Sequence, residues 1–458
     1  MSVQKKASRN YEMDMCNGPI FSKIVTFAIP LILSGILQLL FNAADIIVVG
    51  RFAGSESLAA VGSTSALINL LVNVFIGLSI GANVLVAQYF GAQRLKDLEE
   101  TVHTAMMLAA VGGVVLIAVG VLLADPLLTL MGTPDDVLYL AALYMKIFFV
   151  GMPVTLIYNF GSAILRAVGD TKRPLYFLLF AGVINVVLNL IFVTQFHMGV
   201  AGVALATVIS QCVSAALIVQ CLIRSDAPYR LRKDRLKFTP HKLAMIAKIG
   251  LPAGLQGAIF SISNVLIQSS VNSFGSVAMA GNTASANIEG FVYTSMNAVY
   301  QTALSFTSQN FGARKFDRMT KILLYCLGFV TVVGLVMGGG SVLIGDKLLG
   351  IYSSDGEVIR YGMNRLRIIC TLYFICGLMD TMVGALRGMG YSVVPMLVSL
   401  TGACAFRVVW IFTVFAMNRT LQTLYLSYPV SWSITFAAHV VCYLVIRRKL
   451  AGAGAGRS

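Results

Sequence analysis

Charged side chains are scarce in this chain: Asp, Glu, Lys and Arg together make up 12% of its 458 residues. Soluble globular proteins carry about 25%, so one soluble core of this size would lack the charges to cover its surface. Hydrophobic residues make up 57% of the chain and lie in long continuous runs. These runs match the ~20 residues that a membrane-spanning helix needs, whereas membrane β-barrels have alternating segments of about 10 residues. The sequence predicts an all-α polytopic membrane protein.

The motifs of several enzyme and metal-binding classes are also missing. No GxxxxGK[ST] sequence occurs, which excludes ATP hydrolysis by a P-loop. The four His do not form HExxH and the eight Cys form no CxxC pair, so neither a zinc site nor a disulfide framework is indicated. A membrane-embedded enzyme such as an acyltransferase would need His, Asp and Glu clustered at one membrane face, and the sequence has no such cluster. We therefore expect no enzyme, no cofactor and no resident metal.

Twelve spans are predicted from the hydrophobic runs. Their approximate limits are 24–49, 57–86, 102–124, 137–160, 174–195, 200–223, 244–271, 279–305, 321–344, 358–383, 394–416 and 424–446. If the N-terminus is cytoplasmic, 26 of the 34 Lys and Arg residues lie at inner ends, as the positive-inside rule requires. We expect a multi-pass protein of a bacterial-type plasma membrane with both termini cytoplasmic. The net charge of +15 then reflects topology and lipid headgroup contact rather than binding to nucleic acid.

The chain contains an internal repeat. The segment VAQYFGAQR at 86–94 is similar to TSQNFGARK at 307–315. The segment ILRAVGDTKRPL at 164–175 is similar to ALRGMGYSVVPM at 385–396, with the same offset of 221 residues. Each half therefore has six spans, an even number. The halves then enter the membrane in the same sense and are related by a pseudo-two-fold axis along the membrane normal.

Two six-helix bundles of this kind are typical of a secondary transporter, in which they face each other across a central cavity and rock to give alternating access. We predict bundles at 1–223 and 244–458, joined by a cytoplasmic linker at 224–243. Pro30 and Pro252 lie near the starts of matching helices. Because proline removes a backbone donor and can kink a helix, both residues are candidate hinges.

A carboxylate lies within the first predicted span: Asp45, in the stretch FNAADIIVVG. An ionised Asp near the centre of a spanning helix costs roughly 2.5–3.5 kcal/mol, and the neutral acid avoids this cost. A proton and a cationic substrate can compete for such a group, which is the chemistry of an exchange carrier. Asn185 and Asn189 share one face of the fifth span, at i and i+4, and can hydrogen-bond Asp45. Their alternative role is to hold helices together in the membrane.

Several motifs follow one another in a recognisable order. They are Pro30, LFNAADIIVVGRFAG with Asp45, VAQYFGA, LRAVGDTKRP, GVINVVLNLIFV and GVAGVALATVISQ, with SQNFGA and LRGMGYSVVP in the second half. Their order and spacing resemble the multidrug and toxic compound extrusion (MATE) family over roughly residues 20–447. The pattern of the first half is similar to the DinF-like branch of that family.

The resemblance implies a cation-coupled antiporter that exports amphipathic, often cationic, compounds. It also implies an acidic site in the first half that joins Asp45, Asn185 and Thr207. One departure matters: the second carboxylate of the family's site is replaced here by Asn189. Hard cations favour several anionic oxygens, and a single acid suits a proton. We therefore prefer H⁺ over Na⁺ as the coupling ion, with Na⁺ as the alternative.

The second half carries intramembrane charges with open roles. Asp380 is a candidate for cation coupling, although some relatives place an acid one turn earlier, where this chain has Cys376. Pairing with Arg407 is the alternative role for Asp380, because a mid-span Arg needs a partner. Arg407 and Lys146 also keep a second function open, a lipid-linked saccharide flippase of the same superfamily, whose cavity must neutralise a pyrophosphate.

Polar residues of four spans predict a substrate cavity. The candidates are Gln38, Asn42, Asn69, Asn73, Gln256, Asn264 and Glu289. The 20 Met and 26 Phe offer adaptable apolar contacts that suit a promiscuous site. We expect the partners to be a small amphipathic or cationic substrate and the lipid bilayer, and we expect a monomer.

Overall fold

The computed structural model describes residues 11–455, and all the regular secondary structure in this range is helical. The helices are α1 (Ile20–Phe52), α2 (Ser55–Gly91), α3 (Leu95–Leu130), α4 (Asp135–Val150), α5 (Met152–Ala167), α6 (Lys172–Leu190), α7 (Gly199–Arg224), α8 (Pro240–Asn272), α9 (Ser276–Gly312), α10 (Phe316–Leu343), α11 (Gly345–Gly350), α12 (Gly356–Gly388), α13 (Val393–Ser399), α14 (Phe406–Trp410) and α15 (Leu421–Ala455). Both chain termini, predicted to be cytoplasmic, lie outside the described residues.

These helices confirm the prediction of twelve spans in two six-helix bundles. Helices α4 and α5 form one span, bent by 49°. Helices α13 and α14 form another, together with π-helical turns at Leu400–Ala405 and Ile411–Phe415. Within residues 11–455, ten continuous helical segments, the α13–α14 span among them, are long and apolar enough to cross a membrane, and the bent pair adds an eleventh. The remaining span is α9, which is as long as α2 but more polar.

The polarity of α9 follows from its enclosed position: it packs against α12 and α10 of the second bundle and against α1 and α2 of the first. Its side chains Asn282, Ser285, Thr302, Ser308 and Asn310 are all buried. Polar groups surrounded by protein can be hydrogen-bonded across helices, so this span does not need the apolar composition of a lipid-facing helix.

Backbone geometry repeats between the two halves at the offset of 221 residues. Three pairs of residues, each pair at this offset, have a positive φ: Gly54 and Gly275, Gln93 and Arg314, and Gly169 and Gly390. The glycines suit these left-handed turns because they have no Cβ. The repeated sequence motifs therefore encode repeated turns.

The bundles meet most closely along α2, which crosses α8 and also contacts α9. A Cβ added at Gly77 would lie 2.3 Å from the backbone N of Gly254, so the two helices touch backbone to backbone. At the ends of α2 and α9 the contact is reciprocal. The Gln88 amide donates to the Gly388 carbonyl at 2.9 Å, and the Gln309 amide donates to the Ala167 carbonyl at 2.7 Å. This end of the molecule, which the Lys and Arg pattern predicts to be cytoplasmic, is closed.

A short N-terminal segment, residues 11–18, lies across the closed end, and we call it the N-terminal strap. On one side, Tyr229 donates from its hydroxyl to Glu12 at 2.7 Å. On the other side, Asn310 of α9 donates to the Met15 carbonyl at 3.0 Å, and Arg318 of α10 donates to the Gly18 carbonyl at 2.9 Å. The strap therefore connects the linker after the first bundle with the second bundle.

Helices α1 and α8 each run without a break through their proline, Pro30 in α1 and Pro252 in α8, and both prolines are buried. The carbonyl of Pro30 accepts a hydrogen bond from the Ser34 hydroxyl at 2.8 Å. The two candidate hinges thus lie within packed helices, at matching positions of the two bundles.

Candidate functional site

The four polar residues predicted for the first bundle lie together. Asp45 of α1 is half-buried and accepts a hydrogen bond from the side-chain amide of Asn189 on α6. That amide also lies 3.3 Å from the Asn185 side-chain oxygen, and the Asn185 amide donates to the Thr207 hydroxyl on α7 at 3.3 Å. Three helices thus contribute to one continuous network, which we call the Asp45 network.

The two Asn side chains of this network are buried, and one of their polar atoms is unpaired. Asn185 is 5% exposed and Asn189 is fully buried. The Asn189 side-chain oxygen has no hydrogen-bond partner among residues 11–455, although buried polar atoms are normally paired. The network therefore holds one carboxylate and one free amide acceptor.

A separate cavity of about 580 Å³ lies between α2 of the first bundle and α8, α9, α12, α14 and α15 of the second. We call it the second-bundle cavity. Of the residues predicted to line a substrate cavity, it includes Asn69, Asn73, Gln256 and Asn264, and Asp380 also lines it. Gln38 and Asn42 on α1 and Glu289 on α9 are not among its lining residues.

Glu289 forms a buried ion pair instead of lining this cavity. Its two carboxylate oxygens accept from Nε and Nη2 of Arg365, both at 2.7 Å, and Arg365 also donates to the Asn282 side-chain oxygen at 2.8 Å. Glu289 and Arg365 are 5% and 7% exposed. Because an unpaired charge in the membrane interior is costly, the guanidinium holds the carboxylate in place.

The pairing of Asp380 with Arg407 is absent from the ion pairs of the described chain. Both residues line the second-bundle cavity. Arg407 donates to the Ser431 hydroxyl at 3.0 Å and lies over the Tyr428 ring, with its Cζ 4.3 Å from the ring centre. Lys146, the other cation of the flippase argument, pairs with Asp125 of α3 at 2.5 Å.

The remaining charged and aromatic lining of the second-bundle cavity is not among the predicted cavity residues. Arg387 is one of the 26 basic residues that the sequence places at inner ends of spans, yet it lines the cavity together with Tyr373, Tyr428 and Trp432. One signal was available: Tyr428 and Trp432 are four residues apart in the last span, on the same helix face. An aromatic pair on one face, combined with a mid-span Arg407, indicates a shared pocket.

Comparison with known proteins agrees with this architecture. The MatE family profile matches residues 30–191 and 252–413, once in each half. The probable multidrug resistance protein YoeA of Bacillus subtilis (strain 168) is 27% identical over 388 residues, which cover 83% of this chain and 84% of that protein. The probable multidrug resistance protein NorM of Thermotoga maritima is 24% identical over 389 residues, covering 83% of this chain and 82% of that protein.

A solved structure shows the same fold. It is described as the outward-facing conformation of a multidrug resistance MATE family transporter of the MOP superfamily. It superimposes with a TM-score of 0.89 at 21% identity, covering 98% of this chain and 99% of that one. Since the family profile matches both halves and covers most of the chain, this protein is a multi-pass membrane transporter that belongs to the MatE, or multidrug and toxic compound extrusion, family.

Proposed function

We propose that the protein is a proton-coupled antiporter that exports amphipathic small molecules, cationic ones included, by alternating access. Proton coupling is supported by the Asp45 network, in which a single carboxylate is hydrogen-bonded to the buried Asn189 amide, whose side-chain oxygen is unpaired among the described residues. A neutral Asp45 has an O–H that can donate to an amide oxygen, and an ionised Asp45 does not. Turning the Asn189 amide over would replace its nitrogen, which faces Asp45, with the unpaired oxygen, and would so give this proton an acceptor.

Sodium is the less favoured coupling ion. Besides the Asp45 carboxylate, the network offers only neutral oxygens from Asn185, Asn189 and Thr207. Hard cations favour several anionic oxygens, and a proton needs a single basic site. The names of relatives such as YoeA and NorM support multidrug export. They do not favour the alternative function, the lipid-linked saccharide flippase.

The transport cycle that we propose uses the two bundles as rigid units, 1–223 and 244–458, with 224–243 as the linker. Residues 1–10 and 456–458 of these units lie outside the described residues. Pro30 and Pro252 serve as hinges, because each lacks the backbone N–H that would hold its helix straight. We place the protein in a bacterial-type plasma membrane as a monomer with cytoplasmic termini.

Asp45→Asn tests the coupling. The variant keeps the shape of the side chain and a hydrogen bond but cannot ionise, so it should insert and fold while dye transport against a gradient disappears. Uptake of ethidium into inverted vesicles, driven in turn by a proton gradient and a sodium gradient, measures this. Asp136→Asn is the matched control, because Asp136 is exposed at the start of α4.

Three outcomes would contradict the proposal. Normal proton-driven uptake by Asp45→Asn would exclude Asp45 as the coupling residue and would direct attention to Asp380. Uptake by the wild type that follows only the sodium gradient would exclude proton coupling. Low expression with intact coupling in the surviving protein would show that Asp45 is structural.

A further inference from the structure

The second-bundle cavity has an unusual charge balance for a pocket that would take a cation. Its charged lining residues are Asp380, Arg387 and Arg407. Arginine stays protonated at all physiological pH values. With one carboxylate facing two guanidinium groups, the lining carries one positive charge in excess.

Both arginines are deeply buried and have neutral partners. Arg387 is 5% exposed and donates to the Tyr300 hydroxyl at 2.9 Å and to the Gln256 side-chain oxygen at 2.8 Å. Its Nε has no partner among the described residues. Arg407 is 2% exposed, and its hydrogen bond within the described chain goes to Ser431. Neither takes part in an ion pair within residues 11–455.

A buried guanidinium normally has a carboxylate, and this chain supplies one elsewhere. Arg365 in the same bundle is matched by Glu289 in a bidentate pair. Arg387 and Arg407 differ from Arg365 in lining an open space of about 580 Å³. Because guanidinium groups recognise carboxylates, sulfonates and phosphates through paired N–H donors, the missing acceptor can come from a ligand.

The wall beside Arg407 is aromatic. The rings of Tyr373 and Trp432 are stacked, with centroids 5.2 Å apart and planes 22° apart. The Arg407 guanidinium lies over Tyr428 and, at 5.8 Å from the ring centre, over Trp432. Tyr373 also stacks on Tyr293, with centroids 6.4 Å apart. A ligand ring would therefore meet the edges of these side chains in T-shaped contact, which aromatic pairs favour.

The local backbone also sets Arg407 apart. It is carried by the short helix α14, which has a π-helical turn on each side, Leu400–Ala405 and Ile411–Phe415. Such turns insert an extra residue into a helix and frequently accompany functional sites. They interrupt the regular α-helical register on both sides of Arg407.

We propose that the second-bundle cavity binds planar aromatic anions, with the anionic group at Arg387 and Arg407 and the ring against Tyr373 and Trp432. This inference rests on the proposed export function, because it names a class of cargo for the same transporter. It extends that cargo from cations to aromatic carboxylates, sulfonates and phosphates. The Asp380 carboxylate lies in the same cavity and repels the anion, so it lowers the affinity.

Two dyes with one ring system test the charge preference. Fluorescein and the methyl ester of rhodamine share the xanthene ring, and at alkaline pH the first is anionic while the second is cationic. Binding to the purified full-length protein in lipid nanodiscs is measured by fluorescence anisotropy. Arg407→Gln and Arg387→Gln should each weaken fluorescein binding at least about 10-fold, the lower end of the range for one charge-assisted hydrogen bond, and leave rhodamine ester binding equal or tighter.

Further variants separate a binding role from a folding role. Asp380→Asn should tighten fluorescein binding, an effect opposite to what unfolding would cause. Arg407→Lys keeps the charge but loses the paired N–H donors, so its fluorescein affinity should lie between those of the wild type and Arg407→Gln. Arg419→Gln is the matched control because it removes an exposed Arg from the loop before α15, and it should bind both dyes like the wild type.

The proposal is overturned if fluorescein binding is unchanged in both Arg→Gln variants, or if both dyes lose affinity equally. It is also overturned if Asp380→Asn weakens fluorescein binding. Asp45→Asn distinguishes this inference from the coupling proposal, since it should abolish proton-driven transport and leave fluorescein binding intact. Intact transport by Asp45→Asn would refute the coupling proposal, while the fluorescein result would still decide whether the cavity binds aromatic anions.

Discussion

Replacing Glu289 with Gln should destabilise the protein strongly, because it removes the countercharge of Arg365. The pair makes two hydrogen bonds of 2.7 Å, and Asn282 provides a third acceptor at 2.8 Å. The substituted glutamine keeps one oxygen acceptor, so one charge-assisted bond is lost together with the attraction between the charges. Removing one partner of a buried pair costs about 3–5 kcal/mol. We expect a loss of about 3 kcal/mol, near the lower end of that range, because Asn282 remains.

The assay is unfolding of the detergent-purified protein by titration with sodium dodecyl sulfate, followed by tryptophan fluorescence. A compensating double variant, Glu289→Leu with Arg365→Met, removes both charges and should recover stability to within about 1 kcal/mol of the wild type, since apolar replacements of buried pairs are often neutral. Wild-type stability of Glu289→Gln combined with lost transport would refute this reasoning. Glu289 would then act in transport rather than in holding α9 to α12.

Three other changes test the contacts and the topology. Gly312→Ala should destabilise the closed state by about 1–3 kcal/mol through overpacking, because its Cβ would lie 1.9 Å from the Gln88 carbonyl oxygen. Ethidium transport by this variant should fall. The control Gly328→Ala, whose Cβ would meet nothing within 4 Å, should transport ethidium normally. Asn189→Asp adds a second carboxylate to the Asp45 network and should create a sodium dependence of transport, so unchanged ion dependence in a folded variant counts against our account of proton preference. Single cysteines at 230–237 should react with a membrane-impermeant thiol reagent in inverted vesicles and not in intact cells; the reverse pattern would refute the predicted orientation.

The sequence predicts where the helices lie in the chain better than it predicts which helix faces pack against each other. Long apolar runs and basic ends locate the spans, and the repeated motifs predict the two bundles. Helix rotation is harder to predict because lipid and protein interior are equally apolar, so hydrophobic periodicity does not identify the buried face. For this reason the sequence predicts Glu289 in a cavity, and nothing in it indicates the partner Arg365, which lies 76 residues further along the chain.

The Asp45 network was easier to predict than the second-bundle cavity for a related reason. Asn185 and Asn189 are one helical turn apart, and polar residues in an apolar span almost always face the interior of the bundle. The second-bundle cavity instead combines single residues from many helices, such as Arg387 and Trp432. Arg387 also lies near a helix end, where a basic residue already satisfies the topology rule, so its position gives no sign of a second role.

The N-terminal strap, residues 11–18, links the proposed movement of the bundles to a segment outside all of their helices. Its backbone oxygens at Met15 and Gly18 are acceptors for α9 and α10, while Glu12 is held by Tyr229. These bonds tie the linker after the first bundle to the second bundle, so if the proposed rocking moves the linker away from α9 and α10, some of them break and re-form in every turnover. A bulky fusion ahead of residue 11 would alter how long the closed state lasts, and a turnover number measured on such a fusion would report on the strap as well as on the transporter.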